Sequence, residues 1–111
     1  MKEVIWYGNS LRHLRQFPRP IQSHVGFALE RLQRGDLVIN RKKFDASSWQ
    51  LSFGNEVGWF RVLFYERDGK IVVTHAFRKA TQRTEQGDVD LAWREYRHSL
   101  RSIFGESAAR A

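Results

Sequence analysis

Hydrophobic positions along this chain switch between strand and helix periodicity, and the switches divide it into elements. Val4, Ile5, Trp6 and Tyr7 have strand propensity and stop at Gly8, after which Asn9 or Ser10 can cap a short helix bearing Leu11, Leu14 and Phe17. Pro18 closes that helix and Pro20 suits the first turn of a second. There Ile21, Val25, Ala28, Leu29 and Leu32 recur at helical spacing up to a stop at Gly35, so the two helices are expected to form a hairpin. From 36 to 48 the chain is polar and without period. Three strand-like runs follow at 49–53, 59–66 and 70–77, joined by the turn signals Gly54-Asn55 and Asp68-Gly69. Past Thr84, Asp88 can cap a last helix whose apolar stripe is Val89, Ala92, Trp93, Tyr96, Leu100 and Ile103. Arg94, Arg97 and Arg101 line another face of it. The expectation is one α+β domain over 1–111, ordered β-α-α-β-β-β-α, with an antiparallel meander packed by an N-terminal helical hairpin and a C-terminal helix. Only the 107–111 end reads as frayed.

A two-residue type I′ turn at Asp68-Gly69 predicts the register of the last two strands. Phe60 then faces Phe77, Val62 faces His75 and Phe64 faces Val73, giving a nearly apolar face. The other face carries Trp59, Arg61, Leu63 and Tyr65 against Arg78, Ala76, Thr74 and Val72. That second face, with Arg61 near the basic segment after the last strand, is the candidate site.

Composition narrows the partners. Nineteen Lys plus Arg against twelve Asp plus Glu give a net charge of +7 and a pI near 10.4, a field that concentrates a polyanion or an acidic partner. Arg41, Lys42 and Lys43 are adjacent, and Arg78, Lys79 and Arg83 cluster without an acid, so these are the expected anion sites. With 41% hydrophobic residues a packed core is assured, and a chain of this size buries about two thirds of its unfolded surface. The absence of cysteine removes disulfides, thiolate zinc sites and thiol nucleophiles. Lys2 and Glu3 interrupt what a signal peptide would need, and no apolar run is long enough to span a membrane, so a soluble, cytoplasmic protein is expected.

Common enzyme motifs are missing: there is no Gly-rich phosphate loop, nucleophile elbow or zinc signature. Asp88 and Asp90 are explained by capping and the helix dipole, and His13, His24 and His98 lack metal-ligand spacing, so no metal is expected. His75 is attractive as a catalytic imidazole, yet the flush register points it into the core.

The run His75-Ala76-Phe77-Arg78-Lys79-Ala80-Thr81-Gln82-Arg83-Thr84 resembles the His-x-Phe-x-Lys-Lys-x-x-x-Thr stretch of the phage-related branch of RelE/HigB toxins. Trp49-Gln50-Leu51 resembles that family's Trp-Glu-Leu strand, Phe60-Arg61-Val62 its Tyr-Arg-Val strand, and residues 88–92 the opening of its final helix. The chain departs from the pattern in having Ser52 for an Arg, Ala80 for the second Lys and Glu85 for a frequent Pro.

The resemblance implies a RelE-like fold and a type II toxin: a metal-free, ribosome-dependent mRNA endoribonuclease needing no cofactor. It further implies a toxin-antitoxin hetero-oligomer with a helix-turn-helix, HigA-like antitoxin, acting on mRNA at the ribosome and not at a membrane. Cleavage by the RNA's own 2′-hydroxyl needs alignment, charge relief on the phosphate and a proton for the leaving oxygen. Arg61 would grip the phosphate with its planar fork, and Lys79, with Arg78 and Arg83 beside it, would orient the phosphate or donate the proton. Arg41, Lys42 and Lys43 would hold RNA backbone; Trp59 and Tyr65 would stack on a base or pack under a helix. Two readings compete: a non-catalytic toxin-like inhibitor of a target such as DNA gyrase, and a basic RNA-binding module.

Overall fold

The computed structural model describes residues 1–80 and 83–107. Its elements are β1 (Glu3–Trp6), α1 (Ser10–Leu14), α2 (Arg19–Gln33), β2 (Arg41–Lys43), β3 (Trp49–Asn55), β4 (Gly58–Arg67), β5 (Lys70–Lys79) and α3 (Gln86–Ser99), which continues into a π-helical turn, Leu100–Phe104. The strands form one sheet in the order β1-β5-β4-β3-β2, with β1 parallel to β5 and the rest antiparallel. This is the expected α+β architecture with one strand more. The 36–48 segment is not uniformly irregular, because Arg41–Lys43 pairs with Leu51–Trp49 as an edge strand. Three consecutive cations carry no strand signal, but cations suit an edge that must not recruit a further strand. Asp45 then turns the chain back, its Oδ1 accepting from the backbone N–H groups of Ser47 and Ser48 at 2.8 Å.

Each face of the sheet has its own cover. On one side the buried stripe of α2, namely Ile21, Val25, Ala28, Leu29 and Leu32, joins Leu14 and Phe17 against Leu51, Phe60, Val62, Phe64, Ile71, Val73 and Ala76. On the other, Tyr96, Leu100, Ile103 and Phe104 cover Tyr65 and Val72, over β1, β5 and the turn end of β4. α3 begins at Gln86, with Glu85 rather than Asp88 in the capping position; Asp88 sits inside the first turn and accepts from the Glu85 N–H at 3.2 Å. Of the end read as frayed, Ser107 is exposed and 108–111 lie outside the described residues.

The β4–β5 hairpin departs from the flush register. Asp68 and Gly69 have φ of 51° and 74°, as a type I′ turn requires, and pairing runs flush from Arg67 with Lys70 to Phe64 with Val73. The next pair is Leu63 with His75, leaving Thr74 as an extra residue whose Oγ1 donates to the Leu63 carbonyl at 3.4 Å. A bulge of one residue turns every later side chain to the opposite face. His75 therefore pairs with Leu63 and not Val62, and Phe77 with Arg61 and not Phe60. Ala76 moves into the core opposite Val62, and Arg78 leaves the candidate face to lie opposite Phe60.

The turns allow a direct test of this geometry. At Gly58 (φ 149°) a Cβ would stand 2.7 Å from the Lys79 carbonyl oxygen, whereas at Gly69 (φ 74°) it would meet open space. Gly69→Ala should thus carry only the left-handed backbone penalty of about 1–2 kcal/mol. Gly58→Ala must also displace β5, and thermal denaturation should show the larger drop in midpoint there, at roughly 4 °C per kcal/mol.

Candidate functional site

β4 is the sheet's central strand, and Arg61 stands at its middle on the face that α3 leaves uncovered. Ser52 of β3 and Phe77 of β5 are its direct cross-strand neighbours. Gln50 lies one pair further along β3, and Lys42 of β2 lies opposite Gln50 on the same face. From above, Thr84 completes a polar hollow of about 140 Å³ lined by Lys42, Gln50, Ser52 and Arg61. The Arg61 side chain is only 3% exposed, and its Nη1 donates to Thr84 Oγ1 at 3.2 Å. Burying a guanidinium is costly unless polar groups surround it; here hydroxyl and amide side chains line the recess and Thr84 accepts from it directly.

A second cation borders the hollow. The bulge places Lys79 on the Arg61 face, opposite Trp59, where its ammonium is bound to the Asp88 carboxylate at the start of α3. Burial raises the Asp88 carboxyl, but the hydrogen bonds from Lys79 and the Glu85 N–H, with the charges of Lys79 and Arg61, outweigh it and leave the group below its ordinary 3.8. Asp88 is thus a counter-ion to both cations as well as a helix-start acid.

His75 also comes to this face, half-buried, stacked on Phe77 with ring centroids 5.1 Å apart and meeting His13 edge-on at 6.1 Å. Desolvation, then the His13 charge, pushes its pKa below 6.5 against the opposing pull of Glu95 and Asp88. It is a neutral imidazole at neutral pH, able to accept a proton.

Other expected site residues are distributed differently. β2 alternates, so Arg41 and Lys43 face away from Lys42: Arg41 lies over the Trp49 ring at 4.1 Å and reaches Glu66 at 3.4 Å, and Lys43 lies over Trp49 at 4.8 Å. The three adjacent cations do not form one grip. Arg78 donates to the Val57 carbonyl at the β3–β4 turn and is not beside the Lys79 ammonium. Tyr65 shares the Arg61 face by register but is 4% exposed, its hydroxyl 2.7 Å from Ser99 Oγ and its ring against Tyr96, so it packs and cannot stack on a base. Trp59 stays half-buried, its ring over Gly54. Arg83 is exposed next to Thr84, while Thr81 and Gln82 of the motif lie outside the described residues.

Thr84, Gln50 and Ser52 are brought together only by the fold, since short polar side chains in strands and loops carry no distinctive spacing. The position where the resembled toxins carry Arg lies directly opposite Arg61, and the small residue leaves the hollow open. Chemically the site offers a planar cation in a walled recess, an exposed lysine at its rim, a second lysine held by a carboxylate, and a neutral imidazole along the same face. Among the described residues no three His, Asp or Glu gather as metal ligands, and no helix is long and apolar enough to cross a membrane.

Acid should loosen this half of the molecule. Because the His75 pKa is depressed on folding, the unfolded chain takes up its proton first, so stability is whole above pH 6.5 and declines as the pH falls below it. Asp88, also depressed, adds a further loss below about 3.8. Denaturant unfolding between pH 8 and 5 should show a decline that is absent in His75→Gln; an unchanged slope in that variant would refute the assignment.

Residues 12–97 match the family model described as phage derived protein Gp49-like. No curated protein sequence matches the chain. Among solved structures, the isolated E. coli RelE toxin superposes with a TM-score of 0.57 at 9% identity, covering 85% of this chain and 98% of that one. At that identity the likeness is one of fold, and the hollow around Arg61 is argued from this chain's own residues. The fold is that of the RelE toxin, and by its sequence the chain belongs to the phage-derived Gp49-like family.

Proposed function

We propose that this protein is the toxin of a toxin-antitoxin pair and cuts mRNA at the ribosome without a metal, using the Arg61 hollow as its phosphate site. The observation that carries the reading is the burial of Arg61 among polar side chains with Lys42 at the rim. A guanidinium fixed in a recess, already desolvated, is suited to an anion that gains charge in a transition state. Its fork can meet two phosphate oxygens, and Lys42, exposed, would hold the backbone beside it.

In this reading the RNA supplies its own nucleophile, the 2′-hydroxyl, and the protein aligns it for in-line attack. His75 as a neutral imidazole would take the hydroxyl proton, and Lys79 would protonate the departing 5′-oxygen once the phosphate has drawn it from Asp88. Trp59 and Arg83 would flank the RNA. A helix-turn-helix, HigA-like antitoxin is the expected partner, with both proteins acting in the cytoplasm. Two features favour the non-catalytic alternative, an inhibitor that only binds its target: Lys79 is engaged by Asp88, and Ser52 lies opposite Arg61 where the resembled toxins carry Arg.

Mapping of mRNA 5′ ends after brief induction, with a translation-blocked transcript as control, separates the two. Cuts should fall in translated regions only and vanish in Arg61→Ala. Since Arg61 is buried, Lys42→Ala at the exposed rim serves as the variant that keeps its fold. It should cleave roughly tenfold less, the loss of one charge-assisted contact. Growth arrest with intact mRNA would overturn the nuclease reading and install the binding inhibitor.

A further inference from the structure

A histidine works as a base only when its ring presents the free nitrogen to the proton, and a hydrogen bond to the other nitrogen commonly fixes that orientation. Among the described residues no such bond reaches His75, whose ring contacts are two other rings. Phe77, two residues on along β5, stacks on it at 28° with centroids 5.1 Å apart. His13 of α1 meets it at 87° and 6.1 Å. Phe77 belongs to the same strand and moves with it, whereas His13 ties the imidazole to a second element.

The chain holds His13 in that place. From the start of α1 one helical face carries Ser10, His13, Leu14 and Phe17. Leu14 and Phe17 enter the core, and the buried Ser10 donates through its Oγ to the Val73 carbonyl at 3.1 Å, two residues before His75. The His13 N–H bonds to the Asn9 carbonyl at 3.0 Å. The short helix is thus fixed on β5, and the His13 and His75 rings border a shared recess of about 400 Å³ with Gln16 and Phe77.

We propose that His13 is a positioning residue for His75, holding the imidazole against Phe77 in the orientation in which it accepts a proton. The role rests on the reading of His75 as the base that takes the 2′-hydroxyl proton. Charge adds a second effect, because two imidazoles at this spacing resist being protonated together. The other charges that act on His75 come from α3, and each has a partner of its own: Glu95 lies 3.7 Å from Arg94, and Asp88 holds Lys79. His13 has no ion pair among the described residues, so a proton on it directly opposes one on His75 and keeps that ring a base to lower pH.

Nuclear magnetic resonance of the histidine rings reads both effects without RNA. In the wild type the His13 and His75 titrations should be coupled, each broader than a single-site curve. His13→Gln should move the His75 midpoint up by about 0.5 pH unit, the like-charge effect at this spacing under water-like screening. It should also remove the nuclear Overhauser contact between the His75 and Phe77 rings, which His13→Phe should retain. In cleavage of translated mRNA, the acid limb of the pH–rate profile should rise by the same amount in His13→Gln. At pH 8, where His75 is neutral in every variant, His13→Gln should cut about tenfold more slowly and His13→Phe should restore the rate. Single-site titration of both rings in the wild type, or an unmoved His75 midpoint with the ring contact intact in His13→Gln, would overturn the proposal. A wild type that makes no cuts would overturn the nuclease reading and the role with it, whereas wild-type cutting matched by His13→Gln would overturn the role alone.

Discussion

An antiparallel ladder has a period of two, so one unpaired residue reverses every side chain beyond it. In this sheet that residue is Thr74. Up to Val73 the β5 strand is in step with its turn, and the apolar residues Ile71 and Val73 point into the core under α2. Past Thr74 the next core residue is Ala76, and His75, Phe77 and Lys79 come round to the Arg61 face. Without the bulge, Lys79 would lie on the opposite face from Arg61 and could not share Asp88 with it. The site is thus assembled by a backbone irregularity in the middle of β5, a common device where a sheet must re-aim side chains.

The placement of charge follows from where the second layer stops. α3 and the π-helical turn cover Tyr65 and Val72, leaving the β2, β3 and outer β4 residues without a helix above them. A buried arginine is tolerable there because polar groups of Thr84, Ser52 and Gln50 form its surroundings and Asp88 lends a negative charge nearby. The same first turn of α3 that starts the helix therefore regulates the field at the site. The Lys79 ammonium is paired with the Asp88 carboxylate, so the charge at this edge of the hollow is already balanced within the chain.

The two faces are built differently. The α2 side holds the larger core and, at its margin, the apolar groove beside α2; the α3 side holds the hollow. β3 connects them, since the Ser52 side chain lines the hollow while its carbonyl anchors Asn40 at the groove.

Sequence alone determined the helices, the three long strands, the type I′ turn and the basic character of the molecule. Those rest on local rules: the 3.6 period of Ile21, Val25, Ala28, Leu29 and Leu32, the run of strand-favouring aromatic and aliphatic residues along 59–66, and the positive φ that Asp68-Gly69 accommodates. It also singled out Arg61 and Lys79, through charge and through the resemblance of their flanking motifs. Tertiary structure alone decided which of the cations meet. Arg41, Lys42 and Lys43 are split between two faces because they pair with β3 as a strand, a contact between positions far apart in the chain that no local propensity of three cations encodes. Arg78 and Lys79 exchange faces because Thr74 is skipped by the ladder, and nothing in the local sequence around that threonine marks it: the bulge depends on how β4, β5 and both helix layers pack together. Spacing reports which residues lie along one element; only the pairing of elements fixes which side chains converge.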